Sequence, residues 1–308
     1  MSEKDEALHI DDAQYQYIAR ISHGKDSLKM LDVIITRGLP LDRITTTDVW
    51  ATDTIRADFP EVVEFKERAD AYIWRKYRIE VEHLCAMRDG EKLTYEKMFY
   101  HIPQRKADAG GWGIADSKEQ SWASRRSGGR GVNPASKYQG KPQGFPLQRG
   151  AWCQKLKTRF LDSPSARGST NIVEYLGIAA DEPKRFGQLN EKKRAPLVEF
   201  GIEEGICGLH CKYENILGPS YDIGCRDGCW FCHNQGVAQL RLLRKKHPDL
   251  WALLLKWDTD SPGSFKPDGH TVHDFDRRFQ MEDDGWLLPD DRTFRWAMLD
   301  DDVQMKFF

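Results

Sequence analysis

The sequence predicts an α/β fold, doubly wound, with helices covering both faces of a mostly parallel sheet. Three observations carry that expectation. An alternating segment, Tyr15 to Ile21, leads through a small polar loop into an apolar-periodic run from Leu28 to Arg37, with Leu28, Leu31, Ile34 and Ile35 at helical spacing. Two further segments, Arg43–Val49 and Tyr77–Cys85, read as strands, and a helical stretch opened by Pro60 separates them. Strand, helix, strand, helix, strand is the sequence form of parallel strands joined by crossover helices.

A chain of 308 residues can bury one large core, or one core plus an appendage. Mean hydropathy is −0.66. No apolar run approaches the length of a membrane span, and the polar N-terminus lacks the apolar stretch of a signal peptide, so a cytoplasmic protein with no membrane partner is expected. In that reducing compartment seven cysteines point to metal binding or catalysis before disulfides. The net charge of −2 hides an asymmetry. Between Arg105 and Arg167 thirteen Lys and Arg stand against four acids, whereas the last fifty residues are crowded with Asp. No internal repeat is present.

Taken in order, residues 1 to 14 form a polar lead-in. The loop Ile21-Ser22-His23-Gly24-Lys25-Asp26-Ser27 then joins a strand to a helix N-terminus, which presents backbone N–H groups and the positive end of a helix dipole. Gly24 lets backbone approach an anion, Lys25 adds a mobile cation, and Ser22 and Ser27 offer hydroxyl donors. Asp26 suits either a helix cap or a magnesium ligand. The spacing is not that of a Walker loop. Gly38 is a helix stop and Pro40 keeps its predecessor extended. Asp48, near the end of the second strand, is either a crevice acid or a loop acid. Pro60 starts the second helix, through Val63, Phe65 and Ala69 to about Arg75. Cys85, on the third strand, is expected in the core.

Residues 102 to 150 change character, with much Gly, Pro and Ser and no periodicity, as in a long functional loop or a solvated lid. The basic charge suits a polyanion, either nucleotide phosphates or a nucleic-acid backbone, with Trp112 and Trp122 able to stack on bases. Val173–Ile178 reads as another strand. Cys225, Cys229 and Cys232 fall within eight residues, a spacing that suits zinc, an iron–sulfur cluster or a redox pair. Cys207 and Cys211 do not complete a zinc ribbon. From Val237 one helix runs through Leu240 and Leu243, and Pro248 restarts a second through Leu250, Leu253 and Leu254. The end, with Asp300, Asp301 and Asp302, reads as a solvated acidic tail or a partner for the basic insertion.

Ser22-x-Gly24-Lys25-Asp26-Ser27 resembles the loop of the PP-loop ATP pyrophosphatases and their relatives, the phosphoadenosine-phosphosulfate (PAPS) reductases. Phe59-Pro60-Glu61, Trp152-Cys153-Gln154-Lys155-Leu156-Lys157 and Gly177-Ile178 followed by Glu182 and Arg185 are similar to further segments of that family, although Ala179 and Pro183 stand where an arginine and a serine are common. The resemblance covers about residues 15 to 235. It implies an adenine nucleotide alpha hydrolase-like core, split as 1–101 and 151–235 around the 102–150 insertion, with a helical extension over 236–308.

The resemblance further implies an enzyme that binds ATP or a related adenylyl nucleotide and works at its α-phosphate, with Lys25 and Asp26 as catalytic residues. The nucleotide and Mg2+ would be held by Ser22, His23, Gly24, Lys25, Asp26, Ser27, Asp48, Lys155, Lys157, Glu182 and Arg185. The acceptor would be a sulfur carrier, a nucleic acid or a small molecule. Cys153, Cys229 and Cys232 match a metal-binding pattern with Cys225 as fourth ligand and Cys211 next, for a [4Fe–4S] cluster ahead of Zn2+; Trp152, Trp230 and Phe231 would shield it. The alternatives are a sulfonucleotide reductase, against which the absence of any cysteine after Cys232 counts, and a nucleic-acid-binding module using the insertion.

Overall fold

The computed structural model describes residues 15–102, 140–146, 152–158, 171–187, 189–223, 228–289 and 294–299. In chain order the elements are β1 (Gln16–Arg20), α1 (Lys25–Thr36), β2 (Arg43–Asp48), α2 (Pro60–Tyr77), β3 (Val81–Cys85), β4 (Met87–Arg88), β5 (Glu91–Lys92) and α3 (Tyr95–Phe99). There follow α4 (Lys155–Thr158), β6 (Ile172–Leu176), α5 (Pro183–Phe186), β7 (Lys193–Arg194), α6 (Pro196–Glu199), α7 (Glu204–Tyr213), α8 (Ser220–Ile223), α9 (Val237–Lys246), α10 (Pro248–Asp260) and α11 (Val272–Asp283). The chain divides into two compact units, Met1–Thr94 with Lys155–Cys229, and Tyr95–Gln154 with Trp230–Phe308.

The first unit is an α/β fold built on a five-stranded sheet in the order β3-β2-β1-β6-β7, with every neighbouring pair parallel. β1 is central and carries Tyr17, Ile18 and Ala19 in succession, all buried, because a parallel strand covered on both faces has no solvent side to alternate with. α1 buries Leu28, Met30, Leu31, Val33 and Ile34, and packs with Cys207 and Cys211 of α7, Phe65 and Ile73 of α2, and Tyr175 of β6 in one core. Asp32 ties the same elements by polar contacts: its carboxylate accepts from Lys29 Nζ at 2.8 Å and Tyr77 Oη at 3.0 Å, and lies 4.0 Å from His210 Nδ1. Hydrogen bonds from Lys29 and Tyr77 and the nearby His210 outweigh burial and hold it below the usual carboxylate range.

Pro60 occupies the first turn of α2, as the sequence implies. That helix runs to Tyr77 and ends on Arg78 in the left-handed region (φ 61°), so β3 starts at Val81 rather than at Tyr77. The β4–β5 hairpin turns on Asp89 and Gly90, both at positive φ, the signature of a two-residue turn matched to strand twist. Cys85 is half-buried at the end of β3 with Sγ 3.6 Å from Met87 Sδ, and so is not a core cysteine.

The described residues of the second unit are helical and enclose an aromatic core. Tyr95 lies 4.0 Å from Phe231 and 4.8 Å from Trp152 between ring centroids, and Trp230 stacks on Trp257 at 5.5 Å. Lys266 Nζ crosses the chain to the carbonyls of His233 and Gln235, which fixes the segment following Cys232. Thr271 caps α11 through a reciprocal pair with Asp274. Trp112, Trp122, most of the basic insertion and the Asp300–Asp302 tail lie outside the described residues. Among the described residues no helix is long and apolar enough to cross a membrane.

Candidate functional site

The strand order fixes where a ligand can enter. From β1 the chain builds outward through β2 and β3, then returns to the other side of β1 with β6 and β7. The strand ends therefore part between β1 and β6, the switch point at which open parallel sheets bind ligands. The Ser22–Ser27 loop stands there, between the end of β1 and the start of α1. Ser27 is buried and braces it: its hydroxyl donates to the Gly24 carbonyl at 2.8 Å and accepts from the Ser22 N–H at 3.2 Å. Its proton is thus committed inside the loop, where the sequence offered it as a donor to a ligand. Gly24 is the N-cap, and the first intrahelical bond, Leu28 N–H to Gly24 C=O at 3.1 Å, leaves the preceding amides at the positive end of the helix dipole.

A cavity of about 280 Å3 opens at the switch point, lined by Arg20, Ser22, Gly24, Asp26, Ser27, Leu176, Gly177, Ile178 and Arg185. Gly177 is what lets β6 end against the loop. A Cβ built there would lie 2.8 Å from both Cα and N of Ser27, closer than real side chains approach. Basic groups around the cavity are paired with acids: Arg20 Nε with Glu174 Oε1 at 2.5 Å, Arg185 with Glu182 at 2.7 Å, and Lys25 Nζ with Glu204 Oε1 at 2.5 Å. Burial works against the Lys25 ammonium, but Glu204 and then Asp26 outweigh it and raise its pKa above the usual lysine value. Asp26 is not the helix cap. Its Oδ1 is buried without a hydrogen-bond partner among the described residues, and burial, opposed by Lys25, raises its carboxyl above the ordinary range. A buried carboxylate oxygen of this kind is a fitting ligand for a divalent cation.

A second cavity of about 310 Å3 lies on the β2 side of the loop and shares Ser22 and Gly24 with the first. Its lining includes His23, Thr46, Thr47, Phe65, Lys66 and Lys157, with Lys66 bonded to Asp58. Asp48 lines neither cavity. It is buried and held between Arg56 and His83, whose Nδ1 lies 2.9 Å from Asp48 Oδ2. His83 Nε2 then reaches Asp70 Oδ2 at 3.0 Å, and His23 Nε2 reaches Asp70 Oδ1 at 2.7 Å. Both carboxylates overcome burial through these hydrogen bonds and sit below the usual range, while Asp48 and Asp70 together push His83 up to about 9.

No family model matches the chain, and no curated protein or solved structure matches it either.

Ser22, Gly24, Asp26, Ser27 and Arg185 line the switch-point cavity, His23 and Lys157 line the β2-side one, and Lys25 lines neither. Lys155, half-buried, and Glu182 line neither. The expected metal ligands are distributed differently. Cys229 ends the first unit and lines the β2-side cavity, Cys153 and Cys232 belong to the second unit, and Cys225 is outside the described residues. Among the described residues no group of three or more His, Cys, Asp and Glu is set to hold a metal ion. Cys211 is fully buried in the α1–α7 core, donates to the Lys25 carbonyl, and burial pushes its thiol up to about 11. Sequence reasoning missed Asp70, His83, Arg56, Glu204 and the part played by Gly177. Of these, only Gly177 stood in a segment already singled out.

Proposed function

We propose that the first unit binds ATP or a related adenylyl nucleotide and catalyses attack at its α-phosphate, in the manner of the PAPS reductase-like PP-loop enzymes. One observation carries the reading: Gly177 presses β6 against the backbone of Asp26 and Ser27 at the switch point, so the start of α1 faces a cavity edged by Arg20 and Arg185. Phosphates there meet helix N-terminal amides and two guanidinium groups. Lys25 leaves Glu204 for a phosphate oxygen, an exchange favoured because Glu204 is half exposed and holds it weakly. Asp26 would hold a magnesium ion, which neutralises phosphate charge when bound. The amides are in place before reaction, so they stabilise charge developing on phosphoryl oxygens with little reorganisation.

Calorimetry with ATP and magnesium, together with an assay for released pyrophosphate, tests this. Binding and release by the wild type, with affinity at least tenfold weaker in Lys25→Ala, are expected. No binding at about 1 mM ATP or PAPS would reject the reading. Binding of PAPS with sulfite release, in place of pyrophosphate release from ATP, would reassign the reaction to the reductase.

A further inference from the structure

We propose that His23 is the general base of this site, its Nδ1 taking the proton from an O–H or N–H nucleophile held in the β2-side cavity. The proposal rests on the nucleotide reading above and adds to it where the proton goes. Two unfavourable features meet on this one residue. Its backbone lies in the left-handed region (φ 59°), which a non-glycine residue seldom adopts and which collects at functional sites. Its ring is buried, 2 % exposed, yet Nδ1 has no hydrogen-bond partner among the described residues. A buried ring nitrogen without a partner is unfavourable unless its lone pair is kept for a ligand.

The neighbouring groups decide which nitrogen that is. His83 donates from both ring nitrogens to Asp48 and Asp70, so it is an imidazolium balanced between two carboxylates, with Arg56 on the far side of Asp48. Asp70, ionised, can only accept, so His23 Nε2 carries the proton and Nδ1 is left as the acceptor. Asp58, the carboxylate lining this cavity, is committed to Lys66. In the step, the nucleophile's proton passes to Nδ1 and its electron pair forms the new bond to the α-phosphorus. The bond from that phosphorus to the bridging oxygen breaks, and its pair leaves on pyrophosphate. The His23 imidazolium stays paired with Asp70 until it returns the proton to solvent.

His23→Gly and His23→Asn both accept a left-handed backbone, so they separate chemistry from folding. ATP binding is read by calorimetry, and pyrophosphate release with water and with hydroxylamine as nucleophiles, with and without added imidazole. ATP affinity within about threefold of wild type, release slowed roughly 10²–10⁴-fold, and recovery of the glycine variant by imidazole are expected. Release within about tenfold of wild type in both variants, or no response to imidazole, overturns the proposal. A wild type that binds ATP but releases no pyrophosphate with either nucleophile overturns the base alone. A wild type that does not bind ATP overturns the nucleotide reading beneath it.

Discussion

Gly177→Ala perturbs the contact on which the site is built. The added Cβ meets Ser27 Cα and N at 2.8 Å and the Asp26 carbonyl carbon at 3.0 Å, whereas ordinary contact begins at 3.4 Å, so something has to move by about 0.6 Å. All three atoms are backbone and cannot turn aside as a side chain would. Overpacking of this kind costs about 1–3 kcal/mol, and the stiffer unfolded chain offsets about 0.4–1 kcal/mol. A net loss of up to about 2.6 kcal/mol follows, about 1.3 kcal/mol at the middle of both ranges, read as a lower urea midpoint at unchanged slope. The displaced loop should also lose at least roughly tenfold in ATP affinity, since a lost charge-assisted phosphate contact costs about 1.5–3 kcal/mol. Gly187→Ala is the control: its nearest new neighbour is 3.5 Å away, so stability and binding should hold. If Gly177→Ala matches Gly187→Ala in both measurements, the close approach does not organise the site.

Removing the carboxylate that competes for Lys25 should help the ligand: Glu204→Gln is expected to tighten ATP binding severalfold by calorimetry, and to change stability little because the pair is partly exposed. The raised Asp26 carboxyl is a burden at neutral pH, since the unfolded chain ionises it more readily. Asp26→Asn should therefore raise the urea midpoint at pH 7, by an amount that shrinks as pH falls through the carboxylate range, while magnesium-dependent nucleotide binding is lost. His83 contributes stability in full below its ordinary 6.5 and loses it as pH rises through about 9, so midpoints from pH 6 to 10 should fall in the wild type and flatten in His83→Gln. On the acid side Asp48 and Asp70 give stability that disappears as pH falls through their lowered range, a limb that His83→Gln should weaken. For the cysteines, iron and zinc analysis of anaerobically purified protein decides: metal in the wild type and Cys85→Ser but not in Cys229→Ser would place Cys229 in a metal centre, and equal metal in all three removes it from one.

β1, α1, β2 and α2 were readable because each carries a local signal: β-branched runs, helical periodicity, and Pro60 at a helix start. The start of β3 was misplaced because Arg78 ends α2 in a left-handed turn, and nothing in an arginine announces one. The Asp89-Gly90 hairpin and the Thr271–Asp274 cap are signals the sequence does carry, and reading them would have placed β4, β5 and α11. The loop could be found from its residues, but the duties of its side chains could not. Ser27 turns inward because Gly24 and Ser22 offer it partners, and Asp48 is held away from both cavities by Arg56 and His83. His83 reaches Asp48 only through strand register, and Glu204 meets Lys25 from 179 residues away. Such pairings depend on tertiary placement, which spacing along the chain does not encode.

The central claim is that backbone amides at the start of α1 receive the nucleotide's phosphates. Amide hydrogen exchange of the full chain, with and without saturating ATP and magnesium, addresses those groups directly. Strong slowing across Gly24–Leu28 is expected, with the Gly177–Ile178 amides slowing alongside. Nucleotide binding that leaves exchange at Gly24–Leu28 unchanged would contradict it.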